Sequence, residues 1–207
     1  MDDKTFEAQV TEYIRLFPYQ ETYKYTSALL GRDPARFNTW AEGDAELKRA
    51  GDDTIVRTNN DTFYKIAFVV LERGPVVIHA TASDPERFAS FQLMDDRNAN
   101  YRNIIRPHGS YSLYHGSPPS EFVGELIEVP SNLSVVLVRV EVKDGGDPVD
   151  VAAATKVFDG IGIDGPRITE WPELDLLGEF DKTVSDEALR RIDEAFASTP
   201  FTDMIVG

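Results

Sequence analysis

The chain has 207 residues and a mass of 23.2 kDa, enough for one large domain with a buried core. Its net charge of −15 and pI near 4.5 exclude general binding to nucleic acid or to anionic membranes, because both need clustered basic residues to displace counterions. Cysteine is absent, which removes disulfides, thiolate metal sites and cysteine nucleophiles together.

Apolar residues make up 42% of the chain, but the best run, Ile66 to Leu71, has the length of a strand and not of a membrane span. The first residues, Met1-Asp2-Asp3-Lys4, carry neither the basic region nor the apolar region of a secretory signal. A cytoplasmic protein is expected.

In chain order, residues 4–51 read as helical. Phe6, Val10, Tyr13, Ile14 and Phe17 recur at helix spacing, and Pro18 is expected to break that run. A second apolar set, Tyr23, Ser27 and Leu30, ends near Gly31. Ala41 to Ala50 forms a short charged segment closed by Gly51.

From about residue 54 to 142 the period changes to that of strands. Over Thr62–Leu71, Tyr64, Ile66, Phe68 and Val70 share one face, and Phe63, Lys65, Ala67 and Val69 share the other. Val76, Ile78 and Ala80 alternate with Val77, His79 and Thr81. Ala89, Phe91, Leu93 and Asp95 alternate with Phe88, Ser90, Gln92 and Met94. Further strand-like runs are Tyr111–His115, Phe122–Val129 and Leu133–Val142, separated by turn chemistry such as Arg73-Gly74-Pro75 and Pro130-Ser131-Asn132. Many short strands at near-regular spacing favour an antiparallel sandwich.

Beyond Gly145-Gly146 the chain turns helical again over about 148–200. Pro148–Phe158 is one helix. Ser185 is the N-cap candidate of the last, whose apolar stripe is Leu189, Ile192 and Phe196. With no repeat and no low-complexity linker, a single domain over 1–207 is expected.

The blocks Asn59-Asn60-Asp61-Thr62-Phe63-Tyr64, Gly74-Pro75-Val76-Val77 and Arg87-Phe88-Ala89-Ser90-Phe91-Gln92-Leu93-Met94-Asp95, in that order, resemble the bacterial domain of unknown function 1254. Asn98-Ala99-Asn100 and the later helix fit as well, so the resemblance covers about residues 10–165. The resemblance implies an all-β or jelly-roll-like core, and with the helical runs the expected fold is mainly β, α+β: an antiparallel sandwich or jelly-roll-like core flanked by N- and C-terminal helices. It implies no settled activity and no catalytic residue. Family members commonly continue into a second β-rich domain, of unknown function 1214, which is expected here on a separate chain if at all.

His79, His108 and His115 are far apart and form no His-x-His pair, so no metal is expected. Gly160-Ile161-Gly162-Ile163-Asp164-Gly165 matches a dinucleotide fingerprint literally. It follows a helix instead of a strand and precedes Pro166, so it reads as a glycine-rich turn and no cofactor is expected. No Gly-x-Ser-x-Gly elbow is present.

The remaining candidates are polar residues at strand ends. Asp61 and Asp95 are candidate general bases, with Lys65 as an oxyanion-stabilising cation. Asn60, Tyr64, Gln92, Asn100 and Arg102 are candidate ligand contacts. Asx turns and plain ion pairs are the structural alternative for the same residues. Two functions remain open: small-molecule binding in a polar-lined pocket, with Asp61, Asp95 and Lys65 or Arg102 sharing one cavity in a metal-independent hydrolase or isomerase, or an interaction subunit. The partners in the second case are a further copy of the chain or a companion-domain protein.

Overall fold

The computed structural model describes residues 2–47, 61–171 and 177–198. It divides into two compact units, Met1–Lys24 with Pro172–Gly207, and Tyr25–Trp171.

The first unit is helical. It holds most of α1 (Asp3–Leu30) and all of α3 (Lys182–Ser198). Val10, Tyr13, Val184 and Ala188 are buried together, ringed by Phe6, Ile14, Phe17, Leu177 and Phe180. Tyr13 meets Phe180 edge-on with ring centroids 5.4 Å apart. The Arg191 guanidinium takes both Glu7 carboxylate oxygens at 2.7 and 2.8 Å.

Three expectations for the helices fail here. α1 runs through Pro18 without a break. A proline removes one N–H from the ladder, a cost of about 3 kcal/mol, but stacked aromatic pairs one turn apart, Tyr13–Phe17 and Tyr19–Tyr23, hold the helix on both sides. α3 begins at Lys182, before Ser185, because the Asp181 carboxylate already accepts from Thr183 N at 2.9 Å. Its buried pair is Val184 and Ala188, whereas Leu189 and Phe196 are exposed. At the far end of α1, Gly31 takes φ +60° and Arg32 N–H returns to Ser27 O, the stop that glycine permits.

The second unit is a two-sheet sandwich, so the protein is α+β, with mostly antiparallel sheets and flanking helices. The larger sheet contains β1 (Trp40–Asp44), β2 (Thr62–Val70), β4 (Ala89–Met94), β5 (Asn100–Ile105) and β8 (Leu133–Glu141), in the order β1-β2-β8-β4-β5, all antiparallel. The smaller contains β3 (Val76–Ala80), β6 (Gly109–Tyr114), β7 (Glu125–Glu128) and β9 (Ile161–Asp164), in the order β7-β6-β3-β9, with β6 and β7 parallel.

The alternation read from the sequence places the core. Phe63, Ala67 and Val69 of β2, Phe91 and Leu93 of β4 and Val136, Val138 and Val140 of β8 meet Val76, Ile78, Tyr111 and Leu113 of the smaller sheet. Phe91 and Tyr111 touch edge-on across the gap at 5.8 Å. α2 (Pro148–Asp159), capped by the Asp147 carboxylate on Val149 N, adds Ala154, Val157 and Phe158 to this core.

On the outer face of the larger sheet a second cluster forms. Phe68, Val70, Met94 and Val135 are covered by Leu30, Phe37 and Ile168, with Trp171 stacked against Phe37. Asn38 ties this layer down, accepting from Val70 N at 2.8 Å and donating to Val70 O and Pro166 O.

Three strands escape the sequence reading. β1 lies in the stretch read as helical. β5 has only scattered apolar residues, as befits an edge strand. β9 is the segment read as a glycine-rich turn. There Gly162 pairs with His79, and a Cβ at Gly162 would sit 2.1 Å from His79 Nε2, so glycine is needed for the imidazole to lie across the strand.

Candidate functional site

The central strand β8 provides a ruler for the predicted residues. Asp61 O accepts from Val142 N at one end of it, whereas Met94, just before Asp95, pairs with Val135 near the other. Seven residues separate Val135 from Val142, about 23 Å at the rise of a strand. Asp61 and Asp95 are therefore at opposite ends of the larger sheet, and the structure does not bring them into one cavity.

Asp95 organises the β4–β5 turn. Its carboxylate accepts from Arg97 N and Ala99 N, both at 2.9 Å, and Asn98 beside it takes φ +61°. Asn100 fills the bulge where β5 departs from register. With its amide nitrogen turned inward it donates to Leu93 O and Arg102 O and accepts from Asn103 Nδ2. The same end holds Tyr101, whose hydroxyl meets Ser134 Oγ at 2.9 Å and is pushed up to about 12 by burial. Burial, and then the Asp95 charge, also raises the Asp96 carboxyl. Arg102 lies at the sheet edge and pairs with Glu125 at 2.7 Å, joining edge strands β5 and β7. Asn60 lies outside the described residues.

Lys65 faces the interior of the sandwich and is only 9% exposed. Its ammonium donates to Phe158 O at 2.7 Å and Ile161 O at 3.1 Å, and stands 4.2 Å from the Phe158 ring centroid. Desolvation pulls its pKa below the ordinary lysine value, opposed by the Asp159 charge. Gly43 makes room for it: a Cβ there would come within 2.7 Å of Lys65 Cγ. Lys65 thus meets Phe158 O in the last turn of α2, where a cation is favoured, and Ile161 O at the start of β9.

Arg87, a member of the third sequence block, is 3% exposed. It donates to Glu141 O at 2.7 Å and to Asp150 Oδ1 at 2.5 Å. Asp150 also accepts from Lys143 N and Asp144 N. The Arg87 bond first, then the Asp144 N–H, hold the Asp150 carboxyl down to about 2.

Tyr64 and Gln92 do share a surface. Thr62, Tyr64 and Ile66 of β2 lie beside Glu141, Arg139 and Leu137 of β8, and Arg139 and Leu137 lie beside Ser90 and Gln92 of β4. By strand alternation all of these point to the outer face of the larger sheet, next to the covered apolar half. Tyr64, Gln92 and Arg139 are half-buried and Ser90 is buried. The Arg139 guanidinium carbon stands 6.0 Å from the Tyr64 ring centroid. The Thr62 hydroxyl is buried without a hydrogen-bond partner among the described residues. Sequence reasoning missed Ser90 and Arg139 as site residues; their parity with Gln92 and Tyr64 was readable, but the pairing of β2, β8 and β4 was not.

Among the described residues no three histidine, aspartate or glutamate side chains are grouped to hold a metal ion. His108 and His115 flank β6 and so stand at its two ends, with His115 Nδ1 2.8 Å from Val129 O. No helix among the described residues is long and apolar enough to cross a membrane.

The protein is a two-sheet α+β protein whose larger sheet carries an apolar and a polar half on its outer face. Residues 37–164 match the model of the protein of unknown function family DUF1254, and the chain belongs to that family. No curated protein matches the sequence. Its fold is similar to the crystal structure of the VPA0106 protein from Vibrio parahaemolyticus, with a TM-score of 0.64 at 19% identity. That alignment covers 82% of this chain and 43% of the other, so the present chain corresponds to less than half of that protein.

Proposed function

We propose that this protein binds a small molecule on the polar half of the larger sheet's outer face. What supports the reading is the gathering of Tyr64, Ser90, Gln92 and Arg139 on three adjacent strands, with the Thr62 hydroxyl, which has no partner among the described residues, in the neighbouring row. A buried hydroxyl without a partner carries an uncompensated desolvation cost, which a bound water or ligand would relieve. A cytoplasmic setting, consistent with a chain lacking cysteine, is part of the proposal.

A second reading has its own observation. Edge strands β5 and β7 carry exposed Ile105 and, just before β7, exposed Phe122 and Val123. An interaction subunit would dock a companion β-rich domain along this side.

Native mass spectrometry of the untagged protein from its own cells tests both. We expect a retained small molecule that is lost from a Tyr64→Ala/Gln92→Ala variant. A retained second polypeptide would favour the interaction subunit, and a bare chain would overturn the binding reading.

A further inference from the structure

We infer that the ligand of this face is a small organic carboxylate, with the Arg139 guanidinium taking the carboxylate group. The inference rests on the binding reading above and gives it a chemistry.

The first support is a missing partner. Among the described residues the Arg139 guanidinium makes no hydrogen bond and no ion pair, and it stands over the Tyr64 ring. Arg15, Arg87, Arg102, Arg190 and Arg191 each pair with a carboxylate of the chain. The chain has 36 acidic residues against 21 basic ones, so carboxylates are plentiful. Exposed arginines are satisfied by water. Arg139 is half-buried on the central strand, where hydration is restricted and an anion is worth more.

The second support is the surroundings. Tyr64 and Ser90 flank Arg139 in the same row. The next row sets Ile66 and Leu137 between Glu42 of β1 on one side and Gln92 of β4 followed by Asn103 of β5 on the other, a short apolar floor with an amide beside it. A charged head at Arg139 and a short apolar body over Ile66 and Leu137 would use both rows.

The charge pattern separates carboxylate from phosphate. One guanidinium offers two parallel N–H groups that match a planar carboxylate. Glu141, two residues along the same face and already accepting from Phe88 N, opposes a second negative charge.

The test uses the full chain, ¹⁵N-labelled, titrated with hexanoate and with hexanamide, which has the same shape without the charge. Hexanoate is expected to shift the backbone amides of Tyr64, Ser90, Gln92 and Arg139 and to bind about tenfold or more tighter than hexanamide, as a charge-assisted pair requires. The advantage is expected to shrink with added salt, to vanish in Arg139→Gln and to survive in part in Arg139→Lys. Equal binding of acid and amide at these residues would overturn the carboxylate inference and leave the binding face standing. If neither compound moves these resonances, both fall.

Discussion

Two regions at the same end of the larger sheet treat their polar groups in opposite ways. On the inner side, Lys65 and Arg87 are buried cations whose donors go to the chain itself: Phe158 O and Ile161 O for one, Glu141 O and Asp150 for the other. On the outer face, Arg139 and the Thr62 hydroxyl have no hydrogen-bond partner among the described residues. The difference teaches how to read a polar residue in a sandwich. A cation bonded to backbone carbonyls explains a fold, because removing it strands those carbonyls. One left unpaired at a half-buried position points to something the chain does not supply.

The largest expected effect is on the inner side. Lys65→Met keeps the stem but leaves Phe158 O and Ile161 O without their donor. It is expected to cost about 1–3 kcal/mol in urea unfolding. An unchanged midpoint would mean that Lys65 is not structural and reopen it as a reactive group.

A pH series sharpens the same side. Asp150 is held down to about 2, below the unfolded value of about 3.9. The stability it contributes is present above the unfolded value and is lost as pH falls toward 2. The gap in unfolding midpoint between the wild type and Asp150→Asn should therefore be widest above pH ~5 and narrow toward pH ~2. A gap independent of pH would break the assignment of the low carboxyl to the Arg87 pair.

The smallest effect is expected on the outer face. Thr62→Val replaces a buried hydroxyl that has no partner among the described residues by a methyl of similar shape, so stability should stay within about 0.5 kcal/mol or rise slightly. A loss well beyond that would show that the hydroxyl has a partner in the protein and remove one support of the binding face.

The polar candidates were legible in the sequence only as a list. Tyr64 and Gln92 are brought to one face, but Asp61 and Asp95, in the first and third of the sequence blocks, are separated by the length of β8. Asp95 is a turn residue, as the Asx-turn alternative described. Arg139 carries no local signal at all. It is one of two charged residues, with Glu141, in the largely apolar run Leu133–Val142, and its meaning depends on Tyr64 and Ser90, distant in sequence and adjacent in space.

By itself the sequence determined the two faces of β2, β3 and β4, the turn positions, the glycine stop of α1 and the family, because strand alternation and turn chemistry are properties of a few consecutive residues. Strand order, the edge strands β1, β5 and β9, the continuation of α1 through Pro18, and the gathering of Thr62, Tyr64, Ser90, Gln92 and Arg139 were decided only by the tertiary structure. Pairing between distant strands is set by how whole faces fill the core, and no short window of sequence records it.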